Sequence, residues 1–495
     1  MPINPSNMRV VDVARLLNST SFGFVLAQAR LYREFNRVGF RIGSSENPRN
    51  INLLKYIAWM FDRKHTPEET SGARSYEDRR NAERDRQAEQ SLAGRDIGPL
   101  PEVVNPDRKA ACERNFQLFC ESYFPETYSL AWSPDHLKVI EKIETAVLRG
   151  GLFALALPRG SGKTTITESA ALWSMLYGHR EFVVLIGATE SAALELLDSL
   201  KTELEVNERL AEDFPEVCYP VAQLEGIANR CAGQLYKGER TRITWTSNEI
   251  VLPTVEGSRA SGIIVRVAGI TGRIRGMKFK RSDGRNVRPS LVVIDDPQTS
   301  ESAGSLEQTR KRVRVLAGDI LGLAGPGQKI SGIMPCTIIR PGDMADIILN
   351  RNTHPDWNGE KTRMVYRFPT NMKLWEEYAE IRAEALRTEG NFQKATEFYL
   401  ANREAMDAGA EVSWEARFNH DEVSALQHAM NLKFQDEAAF MSEYQNDPLP
   451  DDTADDSLLS VDEICAKING LARRRVPLKC DRLTMFVDVV RQEVA

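Results

Sequence analysis

Four nearly uninterrupted apolar runs stand out in the middle of the chain: LFALAL (152–157), FVVLIGA (182–188), SLVVIDD (290–296) and KISGIM (329–334). Short runs of this kind, without polar alternation, predict strands covered on both faces. Between them, stretches such as TTITESAALWSML (164–176) carry helical periodicity. Strands and helices thus alternate at α/β spacing, and residues 106–350 are expected to form a mostly parallel sheet with flanking helices. After about residue 345 the text changes to long helical segments rich in Glu, Tyr and Trp, with no second series of apolar strands. Residues 351–475 are expected to be a helical subdomain and linker.

The first sixty residues read as a separate small unit. VDVARLL (11–17) is a short amphipathic helix, followed by a turn through Ser19, Thr20, Ser21 and Gly23. A longer helix over about 24–38 carries Arg30, Arg33 and Arg37 at spacings of three and four, and Gly39 ends it. Phe40, Arg41 and Ile42 alternate like a short strand, Asn47 to Asn50 make a turn, and INLLKYIAWM (51–60) is a closing helix. Two readings of residues 1–62 stand side by side: a winged helix-turn-helix, or a small helical adaptor whose arginines only solvate a surface. Residues 63–105 follow as a charged linker. SYEDRRNAERDRQAEQ has almost no apolar face, and IGPLPEVVNP stops any helix with three prolines.

Composition bounds the problem without naming it. The chain has 495 residues, 42% of them hydrophobic and 27% charged, which excludes a fibrous or largely disordered protein. No run approaches the roughly 18 uncharged apolar residues that span a bilayer, and the first residues lack a secretory pattern. Seven cysteines without a Cys-x-x-Cys pair, and six dispersed histidines, argue against a disulfide scaffold or a His-rich metal centre. A net charge of -6 speaks against a polyanionic partner until it is resolved along the chain. Residues 1–60 hold eight Lys/Arg against three acids, and residues 259–288 hold nine against Asp283 alone. Because screening confines a surface charge to about 10 Å, such local patches matter more than the total.

The strongest chemical signal is LPRGSGKTT (157–165), between the strand LFALAL and a helix. That context fits a phosphate-binding loop, in which backbone N–H groups and a helix N-terminus face phosphate oxygens. Arg159, Gly160, Ser161, Gly162, Lys163, Thr164 and Thr165 are the expected nucleotide contacts. Lys163 would reach the β/γ-phosphates, Thr164 would hold Mg²⁺, and Arg159 would contact the γ-phosphate or sense its loss. Leu157 stands where the first glycine of the usual pattern belongs. The second signal is LVVIDD (291–296), a buried strand that ends in two acids. Asp295 is expected to hold Mg²⁺, and Asp296 to orient or deprotonate an attacking water. Together the two motifs imply an ATPase. Between them, GITGRIRG (269–276) carries glycine-flanked arginines that fit an arginine finger, a track for DNA phosphates, or solvated loops. Arg275 is the first choice for a finger and Arg273 the second. Thr337, at the end of SGIMPC, has two readings: a strand-end residue that senses the γ-phosphate in a motor ATPase, or part of an ordinary strand-end turn. Trp132 and His136, in LAWSPDH (130–136), are candidates to line an adenine pocket; the competing reading makes Trp132 a core anchor.

LPRGSGKTT, LVVIDDPQ, the Gly-Arg-Gly text and EYQNDP (443–448), with LWEEYAEIR (374–382) and FYLANREAMDAGAEVSWEARF (398–418), resemble the large terminase subunit of tailed phages over residues 110–495. The resemblance implies a P-loop NTPase of RecA/ASCE-like fold that uses ATP and Mg²⁺ to thread double-stranded DNA into a procapsid. Such subunits form a homo-oligomeric ring on the portal, work with a small terminase subunit in the host cytoplasm, and touch no membrane. It also implies that Arg275 is a finger acting in trans and that Thr337 couples hydrolysis to movement. Asp296 replaces the usual glutamate. LTMFVDVV (483–490) resembles the first strand of an RNase H-like nuclease, with Asp488 as its first metal ligand, so residues 476–495 begin that domain. Its partner acids would lie on later strands, and no nuclease activity is expected of these 495 residues. In the same light, residues 1–62 resemble small terminase subunits. Arg30, Arg33 and Arg37 would enter the major groove, and Arg41 and Arg49 would touch phosphates. A DNA helicase or translocase with the same ATPase motifs is the alternative. A DNA-binding adaptor that only switches on ATP is the rival of a different class.

Overall fold

The structure is a computed structural model that describes residues 4–19, 31–33, 35–36, 41–65, 95–272, 274–281 and 283–450. Contacts divide the chain into residues 1–90 and residues 91–495. In the first unit, Met8–Arg9 pairs antiparallel with Asn50–Ile51, and helices Val10–Asn18 and Leu53–His65 follow these strands. Val13, Leu31, Ile42, Ile51 and Tyr56 are fully buried between them and form the unit's core. Arg41 and Ile42, expected to be strand-like, are helical. The β bridge falls one residue later, at Gly43 opposite Ile51, because the Ile42 side chain is drawn into the core and its carbonyl accepts from the Asn52 amide.

The second unit is built on one eight-stranded sheet. Its strands are β1 (Leu152–Ala156), β2 (Phe182–Gly187), β3 (Thr244–Trp245), β4 (Glu249–Val251), β5 (Ile264–Gly269), β6 (Leu291–Asp295), β7 (Ser331–Cys336) and β8 (Glu360–Lys361). Their spatial order is β8-β1-β7-β6-β2-β5-β4-β3, parallel from β8 to β5 and antiparallel beyond. All four expected apolar runs are strands of this sheet, joined by β5, whose IVRVAG text had not been singled out. The sheet also takes an edge strand from residues 360–361, beyond position 350.

Helices cover both faces. Helix α1 (Pro134–Leu148) begins at a capping box formed by Ser133 and His136, with proline at its first turn. Helix α2 (Lys163–Leu176) is buried over most of its length, with Trp173 fully enclosed. Helix α3 (Glu190–Val206) is capped by Thr189 and buries Leu197 and Leu200. One core layer joins these helices to Leu155, Val183, Val265 and Val293. The opposite layer gathers Ala154, Ile186, Val292 and Met334 under Leu316, Ile320 and Ile348. Residues 365–450 add helices α5 (Met372–Thr388), α6 (Gln393–Ala401) and α7 (Ala425–Gln435), around Trp375, Tyr378 and Tyr399. No helix among the described residues is long and apolar enough to cross a membrane.

Candidate functional site

The strand order places the chemistry. Because β7 lies between β1 and β6, Thr337 emerges between the loop after β1 and the acids that end β6. The loop turns through Gly160 and Gly162, both left-handed at φ 75° and 74°. This conformation costs a residue with a Cβ about 1–2 kcal/mol. Gly162 also caps α2, so Lys163 is the first helical residue and the helix dipole faces the loop. Ser161 turns inward, and its hydroxyl donates to the Pro158 carbonyl at 2.7 Å. The Thr165 carbonyl accepts from the Tyr128 hydroxyl at 3.1 Å.

Lys163 is the hub. Its ammonium donates to the Thr337 hydroxyl and pairs with Asp296 at 3.1 Å. Thr337 in turn lies 3.3 Å from the other Asp296 oxygen. Asp296 has a left-handed backbone at φ 36°, unusual outside glycine, and its amide donates to the Pro335 carbonyl. Beside this triad, the Thr164 hydroxyl donates to Asp295 Oδ2 at 2.9 Å. Asp295 Oδ1 is buried and accepts no hydrogen bond among the described residues. Burial first, and the Asp296 charge second, push the Asp295 carboxyl up to about 6. Glu168, one turn along α2, is pushed up to about 7, chiefly by burial. An orphaned carboxylate oxygen next to a threonine hydroxyl is a hard-oxygen donor set that fits a small divalent cation. No cluster of three acidic, His or Cys ligands exists among the described residues, so such an ion would draw further oxygens from water or a bound phosphate.

His136 lines this region but is committed to the loop. The Ser133 amide donates to its Nδ1 at 3.2 Å, which leaves Nε2–H to donate to the Ser161 carbonyl at 3.0 Å. Burial lowers its pKa, which favours this neutral form. Trp132 donates to Glu121 at 2.8 Å and packs at 4.9 Å on Tyr128, so it is anchored rather than free. Both still face a small, largely apolar cavity that ends at Gly162 and Thr165. Trp414 closes its far side, edge-on to His136 at 4.6 Å.

The other expected residues fall at several places. Arg159 is exposed, its amide donating to the Glu443 carbonyl at 2.7 Å and its guanidinium 3.7 Å from the Glu443 carboxylate. Arg275 lies on the surface, paired with Asp319, and Lys163 is not among its partners. It borders a groove with Arg310, Lys311 and Arg314 of α4 (Leu306–Val315), a basic helix absent from the sequence expectations. On the inner side of α4, buried Arg312 donates to the carbonyl of Pro297, the residue after Asp296. Arg33, Arg41 and Arg49 are exposed in the N-terminal unit. Arg30, Arg37, Arg273 and Asp488 lie outside the described residues.

Sequence reasoning missed Arg417, whose guanidinium donates to the Arg159 carbonyl from 258 positions away. EYQN (443–446) carries no assigned role in the sequence. In the structure Asn446 accepts from the Ile338 amide and donates to the Thr362 carbonyl, tying this segment to the residue after Thr337. No signal local to either segment forecasts these long-range contacts. No protein-family model matches the chain, and no curated protein matches it.

Proposed function

We propose that this chain is an ATP-hydrolysing motor of the P-loop, RecA/ASCE-like class that moves double-stranded DNA, as the large terminase subunit of a tailed phage does at the portal of the procapsid. One observation carries the reading: Lys163, Thr337 and Asp296 converge with Thr164 and Asp295 at one end of three neighbouring strands. In this reading the loop amides and Lys163 bind the β/γ-phosphates, while Thr164 and Asp295 hold Mg²⁺. The metal ion supplies neutralising charge to the phosphate oxygens. When a triphosphate arrives, Lys163 exchanges its pairing with Asp296 for the phosphate. The released carboxylate then orients and deprotonates water. Thr337 touches both partners and registers the exchange, and the Asn446 contact to Ile338 carries it to the 440–446 segment.

Arg310, Lys311 and Arg314 outnumber Glu307 in a groove where Arg275 is paired with Asp319, and this excess of positive charge supports a phosphodiester partner, as does the basic character of residues 1–60. A helicase built from two RecA-like sheets is less well supported, because described residues beyond 361 contribute helices and short strand pairs rather than a second large sheet. Nucleotide turnover measured with and without DNA and procapsids is the test. Turnover stimulated by both and abolished by Lys163→Ala is expected. Tight ATP binding without turnover in the presence of DNA would refute the motor and favour an ATP-dependent switch.

A further inference from the structure

We infer that Arg417 is a second cation for the triphosphate, delivered to the loop from the segment that follows Trp414; the inference rests on the nucleotide-binding reading above. Arg417 reaches the phosphate loop at its most constrained point. Its guanidinium donates to the Arg159 carbonyl and lies against Gly160, where a Cβ would approach Nη2 to 3.0 Å. The face of Tyr444 lies 5.5 Å from the guanidinium carbon. The side chain is partly buried there, and that burial lowers its proton affinity.

A partly buried guanidinium ordinarily has a counter-charge nearby, because a cation shielded from water is costly to leave unpaired. Among the described residues no carboxylate pairs with Arg417, and Glu443 faces Arg159 instead, at 3.7 Å. Of the five N–H donors a guanidinium carries, one meets an acceptor among the described residues, the Arg159 carbonyl. The missing anion therefore belongs to something that binds beside residues 159–160. The loop itself is built for phosphate, and a planar guanidinium matches phosphate oxygens through paired hydrogen bonds.

The neighbouring residues give the ligand its second half. Trp414 is three positions earlier; it faces the apolar cavity with Tyr128, Trp132 and His136, and its indole donates to the Ala131 carbonyl at 2.7 Å. The Arg417 amide donates back to the Trp414 carbonyl at 3.1 Å, so the two side chains are held in one turn. That turn closes over both ends of a nucleotide, with the ring in the apolar cavity and the phosphates at the guanidinium. Arg417 is thus a binding residue in cis.

The test is equilibrium binding of a non-hydrolysable ATP analogue, ADP and adenosine to the full chain, followed by calorimetry. Wild type, Lys163→Ala, Arg417→Ala and Arg417→Lys are compared. Arg417→Ala should weaken the triphosphate analogue by at least tenfold and adenosine by less than twofold, with Arg417→Lys restoring part of the loss. Thermal unfolding without nucleotide serves as the folding control: Arg417→Ala should melt close to the wild-type temperature, since it gives up one hydrogen bond and a ring contact. Analogue affinity unchanged in Arg417→Ala, or equal losses for adenosine and triphosphate, would overturn the assignment. Wild type that binds none of the three ligands would overturn the nucleotide reading and this inference with it.

Discussion

Replacing Asp295 with asparagine separates the cost of an empty cation position from the benefit of a filled one. In the free protein the carboxylate is half-buried beside Asp296, and its Oδ1 has no partner among the described residues. Its pKa rises from 3.8 to about 6. At about 1.4 kcal/mol per unit, that shift corresponds to roughly 3 kcal/mol of instability in the ionised form, and to about 1–2 kcal/mol after relaxation and water entry. A raised carboxyl pKa stabilises the fold below pH 3.8 and loses that contribution as pH climbs through 6, so at pH 7.5 the wild type bears the full cost. Asparagine keeps an acceptor for Thr164, removes the charge and does not titrate. Urea denaturation at pH 7.5 in chelator should therefore find Asp295→Asn more stable than wild type by about 1–2 kcal/mol. The gap should narrow by up to about 1.4 kcal/mol per unit as pH falls below 6. Adding magnesium with a non-hydrolysable ATP analogue should reverse the order, stabilising the wild type and leaving the variant nearly unmoved. A variant less stable than wild type in chelator, or equal stabilisation of both by magnesium and nucleotide, would refute the reasoning.

Two further outcomes follow from the same geometry. Thr337→Val keeps the shape of the strand end but removes the hydroxyl between Lys163 and Asp296; steady-state assays should show turnover reduced at least tenfold with nucleotide affinity within threefold, and wild-type turnover would exclude the coupling role. Asp213 is fully buried, accepting from Arg108 at 2.6 Å, from Tyr123 at 2.7 Å and from the Asn105 amide. Arg108→Ala strands that carboxylate and should cost about 3–5 kcal/mol in urea denaturation, and a loss under about 1 kcal/mol would show that Tyr123 and water suffice.

What the sequence reveals here follows from the range of each interaction. The strands 152–157, 182–188, 290–296 and 329–334 are legible because a sheet covered on both faces needs apolar side chains at every position, which leaves a mark without knowledge of any partner. The loop is legible because its glycines and lysine are consecutive. By contrast, β5 carries Arg266 in its middle, and an arginine disguises a strand until its own partner, Glu249 on β4, is seen at 2.7 Å. Arg41 and Ile42 alternate like a strand, yet two residues cannot outvote the core that buries Ile42. Arg417 is the extreme case, since its surroundings come from residues 159–160 and 444, and the residues beside it in sequence give no hint of a cation held against the loop. The same contrast bears on function. Lys163, Thr164, Asp295 and Asp296 suggest phosphate chemistry from local sequence alone, whereas Arg417, Trp414 and Asn446 arrive through tertiary contacts from the far half of the unit. The contacts of residues 417 and 446 with Arg159 and Ile338 offer the proposed motor a route between nucleotide state and the position of another segment. A protein that only held ATP would have no need for the segments after Trp414 and Tyr444 to contact Gly160 and the residue after Thr337.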